Sequence, residues 1–198
     1  MLKLLVRVAA VFLFGTSTVF ADIVLADLFQ ELAVLQRGMK VPIWGRADPG
    51  EAVTVSFEGQ SVSTKADKDG RWRVELGPFD AMAARPLTVT GKNTIRLERV
   101  FVGEVWVCSG QSNMAWPLQR TDGAKQELAE LANPRLFFYS VKHRVSGDPV
   151  SDAGGKWVRA SAETATNFSA VAYYFGKELR ATLAARGSIA RAESKTAT

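Results

Sequence analysis

One cysteine and one histidine are all that the 198 residues hold of the two most versatile ligating side chains. A lone Cys108 excludes an intrachain disulfide, and with only His143 beside it no thiolate or imidazole zinc site of ordinary ligand number can be assembled. Neither a metal nor another cofactor is expected. Charge of one sign is scarce as well: 25 Lys+Arg stand against 20 Asp+Glu, a formal net charge of +5. Setting aside residues 1–21 removes Lys3 and Arg7 and no acid, leaving 23 basic against 20 acidic residues. The basic residues are scattered (Arg71 and Arg73; Lys142 and Arg144; Arg186 and Arg191) and none form a run interleaved with aromatics, so nucleic acid is not an expected partner. Long apolar runs are missing too. The stretch at 8–14 has seven residues, far short of the roughly 20 that span a bilayer.

What is present is a globular composition, 47% hydrophobic. Residues 1–7 carry Lys3 and Arg7, 8–14 are apolar, and 15–21 turn small and polar up to Ala21. That order predicts a secretory signal peptide over 1–21, cut after Ala21, and hence an exported chain, periplasmic or extracellular, with no membrane attachment afterwards. An exported chain with one cysteine is held by its core.

Over 22–100 the sequence alternates short runs rich in Val, Thr, Phe and Trp with turn chemistry at Arg37-Gly38, Pro49-Gly50, Glu58-Gly59, Asp69-Gly70, Gly77-Pro78 and Lys92-Asn93. Turn signals every 8–12 residues predict a small antiparallel β-sandwich. Val53, Val55 and Phe57 alternate with Thr54 and Ser56, and Trp72, Val74 and Leu76 alternate with Arg73 and Glu75, so each run presents one buried face. Asp69-Gly70 fits a tight turn that needs positive φ.

Over 101–185 the pattern changes. Residues 103–108 (GEVWVC) form a nearly continuous apolar run, which predicts a strand buried on both faces in a parallel sheet, with Cys108 in the core. A helix is expected over 122–132, with Asp122 or Thr121 as N-cap and Asn133-Pro134 as the stop. A second buried strand is expected over 136–141, then a short run at Trp157-Val158. Last comes a helix over 168–185 with Val171, Tyr174, Phe175, Leu179 and Leu183 as its apolar stripe. Strand, helix, strand, helix predicts a doubly wound α/β domain, so the fold class is α/β. Its sheet is unfinished, since such sheets usually have about five strands. Residues 186–198 hold one large apolar side chain and read as a disordered or frame-shifted tail. Unpartnered apolar strands imply self-association.

Chemistry concentrates at 107–114 (VCSGQSNM), where the predicted strand enters a loop, the place where open α/β sheets bind ligands. Ser112, with Gly110 before it for backbone freedom, is a candidate nucleophile with an oxyanion-binding N–H, although a Gly-x-Ser is also an ordinary turn. The whole run 101–118 (FVGEVWVCSGQSNMAWPL) resembles the first catalytic block of the sialate O-acetylesterase family, carbohydrate esterases among the SGNH serine hydrolases. The likeness continues at 34–37 (VLQR), 42–45 (PIWG), 49–51 (PGE), 69–72 (DGRW) and 168–176 (FSAVAYYFG), in the family's order.

The resemblance implies an SGNH-like, flavodoxin-type α/β domain and removal of O-acetyl groups from sialic acid or a related sugar through an acyl-enzyme on Ser112. A serine hydroxyl needs a hydrogen-bonded base with an orienting partner. In the family that base is a histidine three residues after an aspartate near the carboxyl terminus of a longer chain, and this sequence has no such pair. His143 does not match the position and is read as a surface histidine. Asp148 and Asp152 are assigned to the turns around Gly147 and Gly154. Gln111 and Asn113 either hydrogen-bond an ester or hold the loop. Trp116 either stacks on a sugar or forms wall or core. The expectation is thus the amino-terminal portion of an esterase, inactive alone. Its alternative is a secreted, non-catalytic carbohydrate-binding β-sandwich protein.

Overall fold

A computed structural model describes residues 22–131, 135–148, 150 and 152–185. The expected signal peptide, the Asn133-Pro134 stop and the expected tail at 186–198 lie outside them. Among the described residues no helix is long and apolar enough to cross a membrane.

Eight strands make two facing sheets: β1 (Val24–Leu25), β2 (Val34–Gln36), β3 (Val41–Arg46), β4 (Ala52–Phe57), β5 (Gln60–Lys65), β6 (Arg71–Leu76), β7 (Met82–Thr90) and β8 (Thr94–Gly103). One sheet runs β1-β3-β6 and the other β2-β8-β7-β4-β5. The alternation that predicted inward faces is obeyed: Val53, Val55 and Phe57 of β4 and Trp72, Val74 and Leu76 of β6 are buried in one core with Ile43, Leu87 and Val89. Each such side chain withdrawn from water contributes roughly 1.5–3 kcal/mol. β4 and β6 lie in opposite sheets, with β5 between them in sequence. β4 and β5 pair from Ala52↔Lys65 to Phe57↔Gln60 around a two-residue Glu58-Gly59 loop, both at positive φ, the turn that matches strand twist. Gly70 sits at φ 74 as its turn requires, and the Asp67 carboxylate accepts the amides of Asp69 and Arg71 at 2.9 Å. The expected all-antiparallel pairing is corrected at one place. β2 pairs parallel with β8, Val34 opposite Phe101, because β2 enters from a crossover and not from a hairpin.

Beyond Gly103 the chain is sparser. It holds 3-10 turns at Ser112–Ala115 and Leu118–Arg120, α1 (Ala124–Ala129), β9 (Phe137–Tyr139), β10 (Trp157–Arg159), α2 (Ala162–Thr166) and α3 (Ala170–Ala185). Leu118, Phe138, Ala165, Ala170 and Tyr173 form a second core. Several expectations are corrected here. β8 ends at Gly103, and 104–110 carry no strand, because no neighbouring strand among the described residues offers them a ladder. Val107 is 91% exposed and Cys108 is exposed, not core. The strand expected over 136–141 is confined to β9, and its partner β10 is antiparallel. α1 starts after Gly123, which sits at φ 73 and gives no side-chain cap, while Thr121 closes the preceding turn by donating its hydroxyl to the Leu118 carbonyl. α3 turns Ala170 and Tyr173 into the core, leaving Val171 and Phe175 at 49% and 42% exposed, so its buried stripe is rotated from the expected one.

The two regions are stitched together. The Asp27 carboxylate accepts the amides of Ala153 (3.1 Å) and Gly154, the Trp157 indole donates to the Leu28 carbonyl at 2.9 Å, and Phe101 packs on Phe137. Gly155 is needed for close approach: a Cβ there would lie 2.5 Å from both the Ser140 carbonyl oxygen and the Tyr139 ring.

Candidate active site

The segment carrying Ser112 is clamped at both ends and open in the middle. At its start, the Glu104 carboxylate accepts from Arg37 Nε at 2.7 Å, and the Val105 amide donates to Gln36 Oε1 at 2.8 Å. Gln36 and Arg37 close the VLQR run, so that motif on the sandwich edge aims the chain leaving β8. At its far end, Ala170 N donates to the Trp116 carbonyl and Leu118 N to the Phe168 carbonyl, both at 2.9 Å, while Pro117 bridges Ser169. The Ser169 hydroxyl accepts the Ala172 amide, capping α3, and leans on Met114 Sδ at 3.5 Å. Sequence reasoning gave Ser169 no such positioning part, though it sits one residue before the helix as a cap should.

Between the clamps, Gln111 is extended (φ −97°, ψ −161°) and the chain winds into the turn at Ser112–Ala115, closed by Met114 N to the Gln111 carbonyl at 2.9 Å. Ser112 stands at the head of that turn, fully accessible. Among the described residues its hydroxyl has no hydrogen-bond partner, and the amides of Ser112 and Asn113 have no acceptor. A bare hydroxyl beside two unspent N–H donors suits attack on an ester carbonyl and binding of the resulting oxyanion. Gln111 and Asn113 are exposed, and among the described residues their side chains make no hydrogen bond in the loop. Gly110 is not in the left-handed region, which corrects the expectation that it is there for backbone freedom; a Cβ at that position would meet the Met114 side chain at 3.4 Å. Trp116, 47% exposed, is not core. Its indole Nε1 donates to the Arg120 carbonyl at 3.3 Å, and the Arg120 guanidinium lies 5.9 Å from the ring centre. Sequence reasoning missed Arg120, whose signal was its place four residues after Trp116.

His143 lies on the exposed stretch after β9 and shares no hydrogen bond with Ser112. The Asp148 backbone serves its local turn, pairing with the Ser146 hydroxyl. Among the described residues no group of His, Cys, Asp and Glu is arranged to hold a metal ion. Behind the site, Tyr173 and Lys177 of α3 both donate to Glu127 of α1, at 2.5 Å and 2.7 Å. The Lys177 ammonium, helped by the Tyr173 hydroxyl, holds the Glu127 carboxyl below its ordinary value, and burial with Glu127 beside it raises Tyr173.

No family model matches the chain. The mouse sialate O-acetylesterase is 33% identical over 162 residues, which take in 71% of this chain and 30% of the relative. The human enzyme of the same name is 33% identical over 163 residues, 71% of this chain and 31% of its own length. The chain is a homologue of the sialate O-acetylesterases over 71% of its length. It spans about 30% of the length of the curated relatives it matches. Among solved structures, a carbohydrate acetylesterase from Xanthomonas citri superposes with a TM-score of 0.79 at 36% identity, covering 82% of this chain and 38% of that one. That likeness bears out the expected α/β, SGNH-like fold class.

Proposed function

We propose that this sialate O-acetylesterase homologue carries the nucleophilic portion of a carbohydrate O-acetylesterase, with Ser112 as nucleophile and its own N–H as an oxyanion donor. Gln111 and Asn113 flank the ester, Gly110 leaves room for the turn, and Trp116 offers a face for the sugar. The substrate in this reading is an O-acetylated sialic acid or a related acetylated sugar, met after export. The observation that carries the reading is the exposed, unpaired Ser112 hydroxyl at the head of a turn clamped by the family's own motifs, Gln36 and Arg37 on one side and Phe168–Ala170 on the other. The acyl-enzyme cycle needs a base, and none touches Ser112 among the described residues. Residues 22–198 alone should therefore hydrolyse an aryl acetate no faster than their Ser112→Ala variant.

The test is a chimera in which residues 22–185 replace the matching portion of the Xanthomonas citri acetylesterase. It should release acetate from an acetylated sugar, and Ser112→Ala should lower kcat/KM by about 10³-fold or more. A folded chimera whose activity survives Ser112→Ala would sink the reading. The unassisted hydroxyl also favours a second reading, a non-catalytic carbohydrate-binding protein, which calorimetry with plain and O-acetylated sialic acids would support through saturable heat that Ser112→Ala leaves intact.

A further inference from the structure

Beside the serine lies a second chemical feature. The turn Leu118–Arg120 follows Trp116 directly, and its residues are spent very differently. Leu118 is fully buried, Gln119 donates to Asn167 Oδ1 at 2.7 Å, and the Thr121 hydroxyl closes the turn on the Leu118 carbonyl. Arg120 alone keeps its polar head uncommitted. It is exposed, makes no ion pair or hydrogen bond through its guanidinium among the described residues, and rests over the Trp116 ring at 5.9 Å. That distance is at the outer edge of cation–π reach, about 6 Å, so the contact parks the guanidinium without consuming its donors. The nearest described ammonium on α3, Lys177, is by contrast fully engaged with Glu127.

Trp116 is held still while remaining half exposed, since its indole N–H and its carbonyl are both bonded. A fixed indole face receives the C–H face of a sugar ring, and a planar guanidinium beside it receives a carboxylate through two parallel N–H bonds, a fit that a point-charge ammonium lacks. A 3-10 turn rises about 2 Å per residue, so Trp116 stands about 8 Å along the chain from Ser112, on the scale of one sugar ring and its substituents.

We propose that Trp116 and Arg120 form a recognition site for a carboxylate-bearing sugar next to Ser112, with Arg120 as the residue that selects acidic over neutral acetylated sugars. The inference rests on the esterase reading for its purpose, but binding tests it without hydrolysis.

The experiment follows the Trp116 indole N–H by NMR in the chain from Asp22 onward, which carries every element described above. The chain is titrated with N-acetylneuraminic acid, its methyl ester and N-acetylmannosamine. The acid is expected to move the Trp116 signal and to bind about fivefold or more tighter than its ester or the neutral sugar. Arg120→Gln should bring the acid down to the ester's affinity while leaving the ester unchanged, and Arg120→Lys should restore only part of the difference. Equal affinity for acid and ester, equal weakening of both by Arg120→Gln, or no titration of Trp116 by any of the three up to about 50 mM would overturn the proposal. Loss of the Ser112 dependence in the chimera would defeat the esterase reading while the charge selectivity stood, and the converse result would defeat Arg120 alone.

Discussion

The sandwich and the region after it are made from similar amounts of apolar residue, yet only the first uses them fully. Between Ile23 and Gly103 nearly every apolar strand residue that faces inward is buried, and each long strand has a partner within a hairpin or one crossover. After Gly103 an apolar run, Val105 to Cys108, is exposed. The difference is one of partners. A strand forms when a neighbour supplies its ladder, and β4 meets β5 across a two-residue loop while 104–110 meets no strand among the described residues. The serine proposed as nucleophile sits on the region with fewer partners, on a segment whose start is clamped by the region with more.

Core substitutions should break this contrast most visibly. Leu87→Ala, in the sandwich core, is expected to cost about 2–5 kcal/mol and to lower the thermal transition of the whole molecule. Phe138→Ala, stacked on Phe168 at 4.0 Å in the second core, is expected to cost about 3 kcal/mol locally, freeing amides of α2 and α3 to exchange while β4 and β7 stay protected. Next in size is Gly155→Ala. The added methyl must displace the loop from Tyr139 and with it the amides that Asp27 holds, a cost of about 1–3 kcal/mol readable as loss of the Trp157 indole bond to Leu28 by NMR.

Acid should act on the second region first. The Glu127 carboxyl is held below its ordinary value of 4.5 by Lys177 and then Tyr173, so its contribution is complete above pH 4.5 and is lost as pH falls through the lowered value. Lys177, raised above 10.5 by Glu127, keeps its share at every pH below that. The expected outcome is loosening of α1 from α3 in acid, seen as a drop of a few degrees in the second region's melt that Glu127→Gln shows already at neutral pH. Smallest in stability is Val107→Lys. At a site 91% exposed it should change unfolding by less than about 0.5 kcal/mol, yet it should reduce self-association in size-exclusion chromatography by breaking an apolar, unpaired edge.

How much of this was legible follows the same division. Period-two alternation read the faces of β4 and β6 correctly, because one buried face and a nearby hairpin partner are what that pattern encodes. The VLQR run was visible as a motif but not as a device. Only the fold brings Gln36 and Arg37, 68 residues away in the Gln36 pairing, against Glu104. The 103–108 run was misread as a buried strand because apolar content reports what a segment can pair with, not what is there to pair. The same error placed Cys108 in the core and turned the α3 stripe toward Val171 and Phe175. Ser112 was found through its neighbours' likeness to a family, and Arg120 was missed because its place four residues after Trp116 acquires a meaning only once the turn brings the two side chains together.

The most direct measurement is hydrogen exchange at 104–112, in residues 22–198 alone and in the chimera that joins residues 22–185 to the Xanthomonas citri acetylesterase. The account expects Trp106 to Gly110 to exchange about as fast as unstructured peptide in the chain alone and about 100-fold slower in the chimera, with β3 to β8 protected alike in both. Equal protection of 104–110 in the two proteins would contradict the claim that the segment leading to Ser112 is unstructured for want of a strand partner among the described residues.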